Sequence, residues 1–402
     1  MNVFDIIEKE EQRQKDTIEL IASENFVSEN VKKALGSCLT NKYCEGYPAE
    51  RHDGCGLSGR YYGGCDNYDE IEEYCCDIYR KVFNTNYHVN VQPHSGSHAN
   101  MCAYYAFLQP GDMLLSMSLD AGGHLSHSSA VSFVSRFYNV KQYGLDKNGY
   151  INYDEIEQML LAHMPKLILV GASAYSREID FKRIADIITE VSDHLMARDN
   201  IHYEPIYMVD MAHIAGLIAA GDHQSPFGLA DVITTTSQKT LRGPRGGIIF
   251  CKPEYAKFID KAVFPGNSGG PHMNTIAAKA VAGEEALTDE YRNYIHQVVK
   301  NAKAMSNEFI KMGYEIISGG TDNHMFLLSL AAANCSGAQL QEKLEKEAHI
   351  ILNKNMIPGD KRKPKETSGV RIGTAAMTTK GYTEDDFIDI AHTIDNYIKS
   401  FN

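Results

Sequence analysis

The run ITTTSQKTLRGPRGG places Lys239 just past an apolar stretch, among hydroxyl-bearing and small residues. The glycines that follow let backbone come close to a ligand. A lysine amine in such a setting forms a Schiff base with an aldehyde once burial and neighbouring positive charge lower its pKa. A single lysine after a strand is most often a surface residue, so this chemistry needs partners elsewhere in the chain. Asp210 closes the apolar run IYMVD, where a buried carboxylate suits a protonated ring nitrogen; the plain alternative is a helix N-cap. In PHSGSHAN, Ser95, Gly96 and Ser97 stand where a strand gives way to a helix and offer hydroxyls and N–H groups to a phosphate. His124 follows two glycines in AGGHLSH and can lie flat against a planar ligand. With His127 it also has metal-pair spacing, but no third ligand lies at a characteristic distance in sequence, so we expect no metal. Arg371 in TSGVRIGT brings a planar fork suited to a carboxylate, with a structural salt bridge as the alternative. An aldehyde, a ring nitrogen and a phosphate in one molecule describe pyridoxal 5'-phosphate.

These residues need a scaffold that gathers them. The short apolar runs VNVQ, GDMLLSMSL, PKLILVGASAY, EPIYMVDMAH, ADVITTTSQ and GGIIFCKP are bounded by Gly, Pro, Asp or Lys and separated by helical or loop stretches. Such alternation implies an α/β protein with an open, mostly parallel sheet, and ligands of such sheets collect at the carboxyl ends of the strands. Val3 to Leu20 carries apolar residues, Ile6, Ile7, Ile18 and Leu20 among them, at helical spacing and predicts an amphipathic leading helix; Tyr68 to Phe83 predicts a second. After about Ala286 long charged helices (Tyr291 to Met312, Ala338 to Ala348, Glu384 to Ile398) surround the expected strands YEIISGG and HMFLLSL, a smaller α+β domain. The expected division is an N-terminal helical arm over 1–20, a large α/β domain over 21–285 and the small domain over 286–402.

At 402 residues the chain is long enough for two cores, and 43% hydrophobic with 23% charged residues is ordinary globular composition. A net charge of -13 repels nucleic-acid backbone, so no nucleic acid is expected as partner. The basic stretch Lys361, Arg362, Lys363, Lys365 is read as a solvated loop rather than a polyanion-binding patch. Nine cysteines without a C-x-x-C pair favour a reducing cytoplasm. The N-terminus has neither a secretory nor a transit pattern, and no run is apolar enough for a membrane helix.

From about Leu20 to Gly381 the chain resembles serine hydroxymethyltransferase, a fold-type I pyridoxal-phosphate family. The resemblance rests on LIASENF, TNKYCEGYP, RYYGGCD, NVQPHSGSHAN, GGHLSH, SAYS, VDMAHIAGLIAAG, TTTSQKTLRGPRGG, FPGNSGGP, SGGTDNH, NKNMIP and TSGVRIGTAAMT. It implies that Lys239 carries the cofactor, Asp210 meets its ring nitrogen, His124 stacks on the ring, Ser173 and His213 lie near its phenolic oxygen, and Gly96 and Ser97 grip the phosphate. It further implies that Gly269 and Gly270, with Tyr43 and Glu45, serve a neighbouring subunit, so that the active unit is a homodimer or a dimer of dimers. Ser23 and Arg371 would hold the substrate carboxylate, Glu45 would handle a proton near the β-hydroxyl, and Tyr62, Leu125 and Asn355 match folate-contacting positions. The implied reaction is reversible transfer of the serine hydroxymethyl group to tetrahydrofolate, giving glycine and 5,10-methylenetetrahydrofolate.

The chain departs from the family pattern at three points. AERHDGCGLSGRYYGG inserts about nine residues between Pro48 and Tyr61, which leaves Arg51 and Arg60 as rivals for one arginine position and bears on the folate mouth. Gln238 precedes the lysine where the family has His, and a neutral amide does not titrate. Ser268 replaces a Gln in the phosphate loop. The first two motivate an alternative, a folate-independent β-hydroxy-amino-acid aldolase or threonine transaldolase.

Overall fold

Seven strands build the central sheet of the computed structural model, which describes residues 2–401. In chain order they are β1 (His88–Asn90), β2 (Met113–Met117), β3 (Asn139–Tyr143), β4 (Leu167–Val170), β5 (Ile206–Asp210), β6 (Val232–Thr236) and β7 (Gly247–Cys251). They lie side by side as β1-β7-β6-β5-β4-β2-β3. Only β7 runs antiparallel to its neighbours. Every residue of β4, β6 and β7 is buried, which is why these segments appear in sequence as unbroken apolar runs rather than alternating ones.

Helices cover both faces. The helix Phe181–Asp199 buries Ile184, Ile187, Val191 and Leu195, a single stripe at helical spacing, and leaves its charges outside. Its start is fixed by Asp180, whose side chain accepts the Arg183 N–H. The long helix Asp289–Lys311 links two cores: Tyr291, Ile295 and Val298 belong to the sheet's core, while Met305 and Phe309 enter a second one with Phe326, Leu340, Val370 and Ile394. That second core lies on a three-stranded antiparallel sheet of β8 (Met325–Ser329), β9 (Asn353–Asn355) and β10 (Gly369–Gly373), in the order β8-β10-β9.

Two sequence expectations need correction. The leading helix spans Val3–Asp16 and stops there; Ile18 and Glu19 pair in parallel with Ile350 and Ile351, and Leu20 is wholly buried in the second core. The β-branched pair Thr17–Ile18 favours the extended form, and Thr17 closes the helix by donating its hydroxyl to the Arg13 carbonyl. No helix residue before it is buried, and Val3, Phe4, Ile6 and Ile7 stay exposed within this chain. The stretch YEIISGG makes one bridge, Ile316 to Leu328, and then a tight turn at Ile317–Gly319. Ser318, Gly319 and Gly320 all take positive φ, which a continuing strand does not allow.

The inserted segment closes a hairpin between Gly46–Tyr47 and Gly59–Arg60. Among the described residues no helix is long and apolar enough to cross a membrane. Leu169 lies at the centre of β4 with no exposed surface, so Leu169→Ala is expected to cost about 2–5 kcal/mol, seen as a lower urea midpoint of the apo-protein with an unchanged slope.

Candidate active site

β5 ends at Asp210, and the chain beyond β6 turns back on itself to present Lys239. Asp210 accepts hydrogen bonds from His127 Nε2 at 2.9 Å, from Asn100 Nδ2 at 2.8 Å and from the Ala212 N–H at 3.0 Å. Burial alone would raise this carboxyl, but His127, then Lys239 and Asn100, hold it well below the ordinary range, so it remains ionised. Asn100 is itself fixed, accepting the Thr234 hydroxyl at 2.6 Å and donating to Ser126 Oγ at 3.0 Å.

Lys239 is held by a knot of local bonds. Its carbonyl accepts from Arg242 N and Asn25 Nδ2, while Ser237 accepts from Gly243 N and donates to the Pro244 carbonyl. Arg242 sits at φ 55 with its guanidinium over the Tyr291 and Tyr294 rings, which retains an unfavourable backbone angle through packing. Burial, aided by Arg371 and Arg245 and opposed by Asp210, lowers the lysine amine to about 8. About a tenth of it is then neutral at pH 7, against roughly three parts in ten thousand at a pKa of 10.5. Gln238 accepts the Gly246 N–H and so clasps the following glycine turn.

Both residues face a cavity of about 300 Å³, which Ser23, Gly96, Ser97, His124, Ser173 and His213 also line, with Arg371 at one side. The helix Gly96–Phe107 begins at this cavity, capped by Ser95, whose hydroxyl accepts the His98 N–H. A side chain at Gly96 would strike Thr236, so glycine keeps the helix mouth open. Thr236 also lines the cavity, and its buried hydroxyl has no partner in the protein. His124 accepts the Ser126 N–H on Nδ1, and burial with His127 nearby lowers it to about 4, so its ring is neutral. His213 stacks on His324 at 5.4 Å, and both are held well below the ordinary histidine range, by burial first.

Arg371, in the middle of β10, donates to Asn353 Oδ1 at 3.1 Å and to the Ser173 carbonyl at 2.6 Å. Among the described residues it makes no ion-pair contact; burial lowers it to about 10, opposed by Glu24, which lines the same cavity. A salt bridge is therefore not its purpose here; a buried guanidinium short of an anion fits an incoming carboxylate. Leu125 and Asn355 line a neighbouring cavity of about 360 Å³ that shares His124, Ser173 and Arg371 with the first.

The remaining sequence candidates gather elsewhere. Tyr43 and Tyr62 lie with ring centroids 5.7 Å apart, a side chain at Gly270 would touch Tyr43, and one at Gly269 would touch Glu45. None of the five lines either cavity of its own chain. Sequence reasoning passed over Glu24, Thr236 and Arg245, all lining the first cavity, and saw His127 only as a metal candidate. Glu24 and Arg245 were signalled by standing beside Ser23 and within the glycine turn after Lys239; nothing in sequence tied His127 or Asn100 to Asp210.

The donor set fits pyridoxal phosphate: an amine poised for an aldehyde, an ionised carboxylate, a neutral planar ring and an open helix N-terminus with an unpartnered hydroxyl. Proteins that hold this cofactor through a lysine on a mostly parallel sheet form fold type I, and the sheet order and cavity put the chain in that class. The family profile of serine hydroxymethyltransferase matches residues 1–394, and the chain belongs to that family. It is a pyridoxal-phosphate-dependent glycine hydroxymethyltransferase with tetrahydrofolate as co-substrate. The folate-independent aldolase or transaldolase alternative is not favoured.

Because the lysine's neutral fraction grows as pH rises through about 8, capture of pyridoxal phosphate by apo-protein is expected to speed up from pH 6 and level off above about 8. Stopped-flow absorbance checks this, and a rate still climbing towards pH 10 contradicts it.

Proposed function

We propose that the transferase reaction is run by two groups of residues, one lining the cavity around Lys239 and one delivered by a second copy of the chain. Pyridoxal phosphate, when bound, supplies an electron-accepting ring that takes up the charge left when a bond to the substrate's α-carbon breaks. Lys239 would hold the cofactor's aldehyde and the ionised Asp210 would favour a proton on the ring nitrogen. His124 would offer the ring a neutral plane, Ser173 and His213 would serve the phenolic oxygen, and Gly96, Ser97 and the helix start would hold the phosphate. Ser23 and Arg371 would grip the amino-acid carboxylate and so orient the α-carbon bonds. Leu125 and Asn355, lining the adjoining cavity, are the folate contacts, with Tyr62 completing them.

The observation that carries the shared-site reading is the separate cluster of Tyr43, Glu45, Tyr62, Gly269 and Gly270, which lines neither the cavity around Lys239 nor the one adjoining it. In a homodimer, or a dimer of such dimers, Glu45 from the neighbour would move the proton at the substrate β-hydroxyl, with Tyr43 beside it, and the two glycines would reach the neighbour's phosphate. The exposed apolar face of the leading helix, Val3, Phe4, Ile6 and Ile7, supports association. The nine free cysteines fit a cytoplasmic setting. We take 21–285 as the cofactor-binding domain and 286–402 as the small one, with 1–20 as an arm before them.

Mixing tests the shared site. Lys239→Ala loses the visible cofactor absorption and Glu45→Ala keeps it, and each alone is inactive. Exchanged together they are expected to regain serine cleavage, because hybrid dimers hold one intact site. Hybrids that form by native mass spectrometry yet stay inactive would overturn the proposal.

A further inference from the structure

The inserted segment does not border either cavity of its chain; it folds over the edge strand β1 on the other side of the hairpin. Three of its glycines, Gly54, Gly56 and Gly59, take positive φ, and a side chain at Gly56 would collide with the Asp260 carboxylate and the His88 ring. The loop is thus built tightly around His88, which has no exposed surface. Arg60 keeps to the hairpin, paired with Asp69 and Glu72, while Arg51 runs inward to Asp260 and donates to the Val89 carbonyl.

At the centre of this arrangement Asp53 Oδ2 lies 2.7 Å from His88 Nδ1, and Cys55 Sγ lies 3.4 Å from the same nitrogen. The three ligand atoms all fall within 4.8 Å of one another. The other ring nitrogen, Nε2, faces Asp260 Oδ1 at 2.9 Å, and Asp260 is itself anchored by Asn90 Nδ2 and the Leu57 N–H. His88 lies between two carboxylates, Asp53 and Asp260, which against burial raise it to about 10; a cation entering at Nδ1 takes the place of the proton there, while Asp260 keeps the ring oriented through Nε2.

We propose that Asp53, Cys55 and His88 bind one thiophilic divalent cation of the zinc class, which fastens the inserted loop to the sheet edge. Mixed nitrogen, sulfur and oxygen donors select zinc over magnesium or calcium. In a tetrahedral site, bond lengths of about 2.0 Å to N and O and about 2.3 Å to S put the N···S separation near 3.6 Å and the N···O separation near 3.3 Å. The sulfur already stands close to that distance, and Asp53, on the loop, needs to retreat by about half an ångström. Arg80 donates to the same Asp53 oxygen at 2.6 Å and shares its second lone pair. Binding through His88 Nδ1 and a Cys55 thiolate releases protons as the cation enters, so the loop and its neighbours Arg51 and Arg80 need not accept two further positive charges. Cys55 is only partly buried, which leaves a path for entry and room for water as fourth ligand.

The site stands apart from the transferase cavity, so it is tested without the reaction. Untagged holoenzyme, stripped with a chelator, reloaded with zinc and desalted, is expected to retain about one equivalent per chain by elemental mass spectrometry. Cobalt in its place should give intense near-ultraviolet thiolate-to-metal absorption that Cys55→Ser abolishes and Cys38→Ser, at the exposed cysteine, leaves intact. Asp53→Asn should weaken zinc binding about tenfold or more. Circular dichroism and cofactor absorption establish that each variant is folded. Wild-type protein that retains no zinc, or a cobalt–thiolate band unchanged in Cys55→Ser, would refute the site.

Discussion

A carboxylate taken out of water tends to pick up a proton, and the site works only if Asp210 does not. Three donors prevent it, and each is anchored by another element: His127 follows the loop after β2, Asn100 comes from the helix that starts at the cavity, and Ala212 supplies backbone just past β5. Thr234 in β6 in turn pins Asn100. The carboxylate's charge is therefore a product of how neighbouring parallel strands and their following loops meet. Its field also tempers the burial of Lys239, which without a negative neighbour would be driven further towards the neutral form.

Arg371 plays the complementary part. It belongs to the small sheet but reaches the loop after β4, bonding the Ser173 carbonyl, and Glu24 on the same cavity acts on it without an ion-pair contact. A cation buried at the meeting of two cores is costly until an anion arrives. In the proposed reading a substrate carboxylate would gain affinity and orientation from this guanidinium, whose plane Asn353 keeps fixed.

Much of this was readable in the chain. Buried parallel strands announced themselves as unbroken apolar runs, and polar residues at their ends, Asp210 and Lys239 above all, fell where open sheets collect ligands. Periodicity misjudged the leading helix because Ile18 and Leu20 keep the apolar count while the backbone turns extended to join Ile350 and Ile351. YEIISGG looked like a strand because its apolar residues do not reveal the positive φ at Ser318. The roles of His127 and Asn100 were hidden because they arise from contacts with Asp210 across elements far apart in sequence. The insertion's destination was equally hidden, since its partners His88 and Asp260 lie distant along the chain.

The central claim is that an ionised Asp210 makes the cofactor ring an electron acceptor. Asp210→Asn retains the shape and most hydrogen bonds but removes the charge. With cofactor still bound, as judged by its visible absorption, exchange of the glycine α-proton with solvent deuterium is predicted to fall by about a hundredfold or more. An exchange rate equal to that of the wild type would contradict the account.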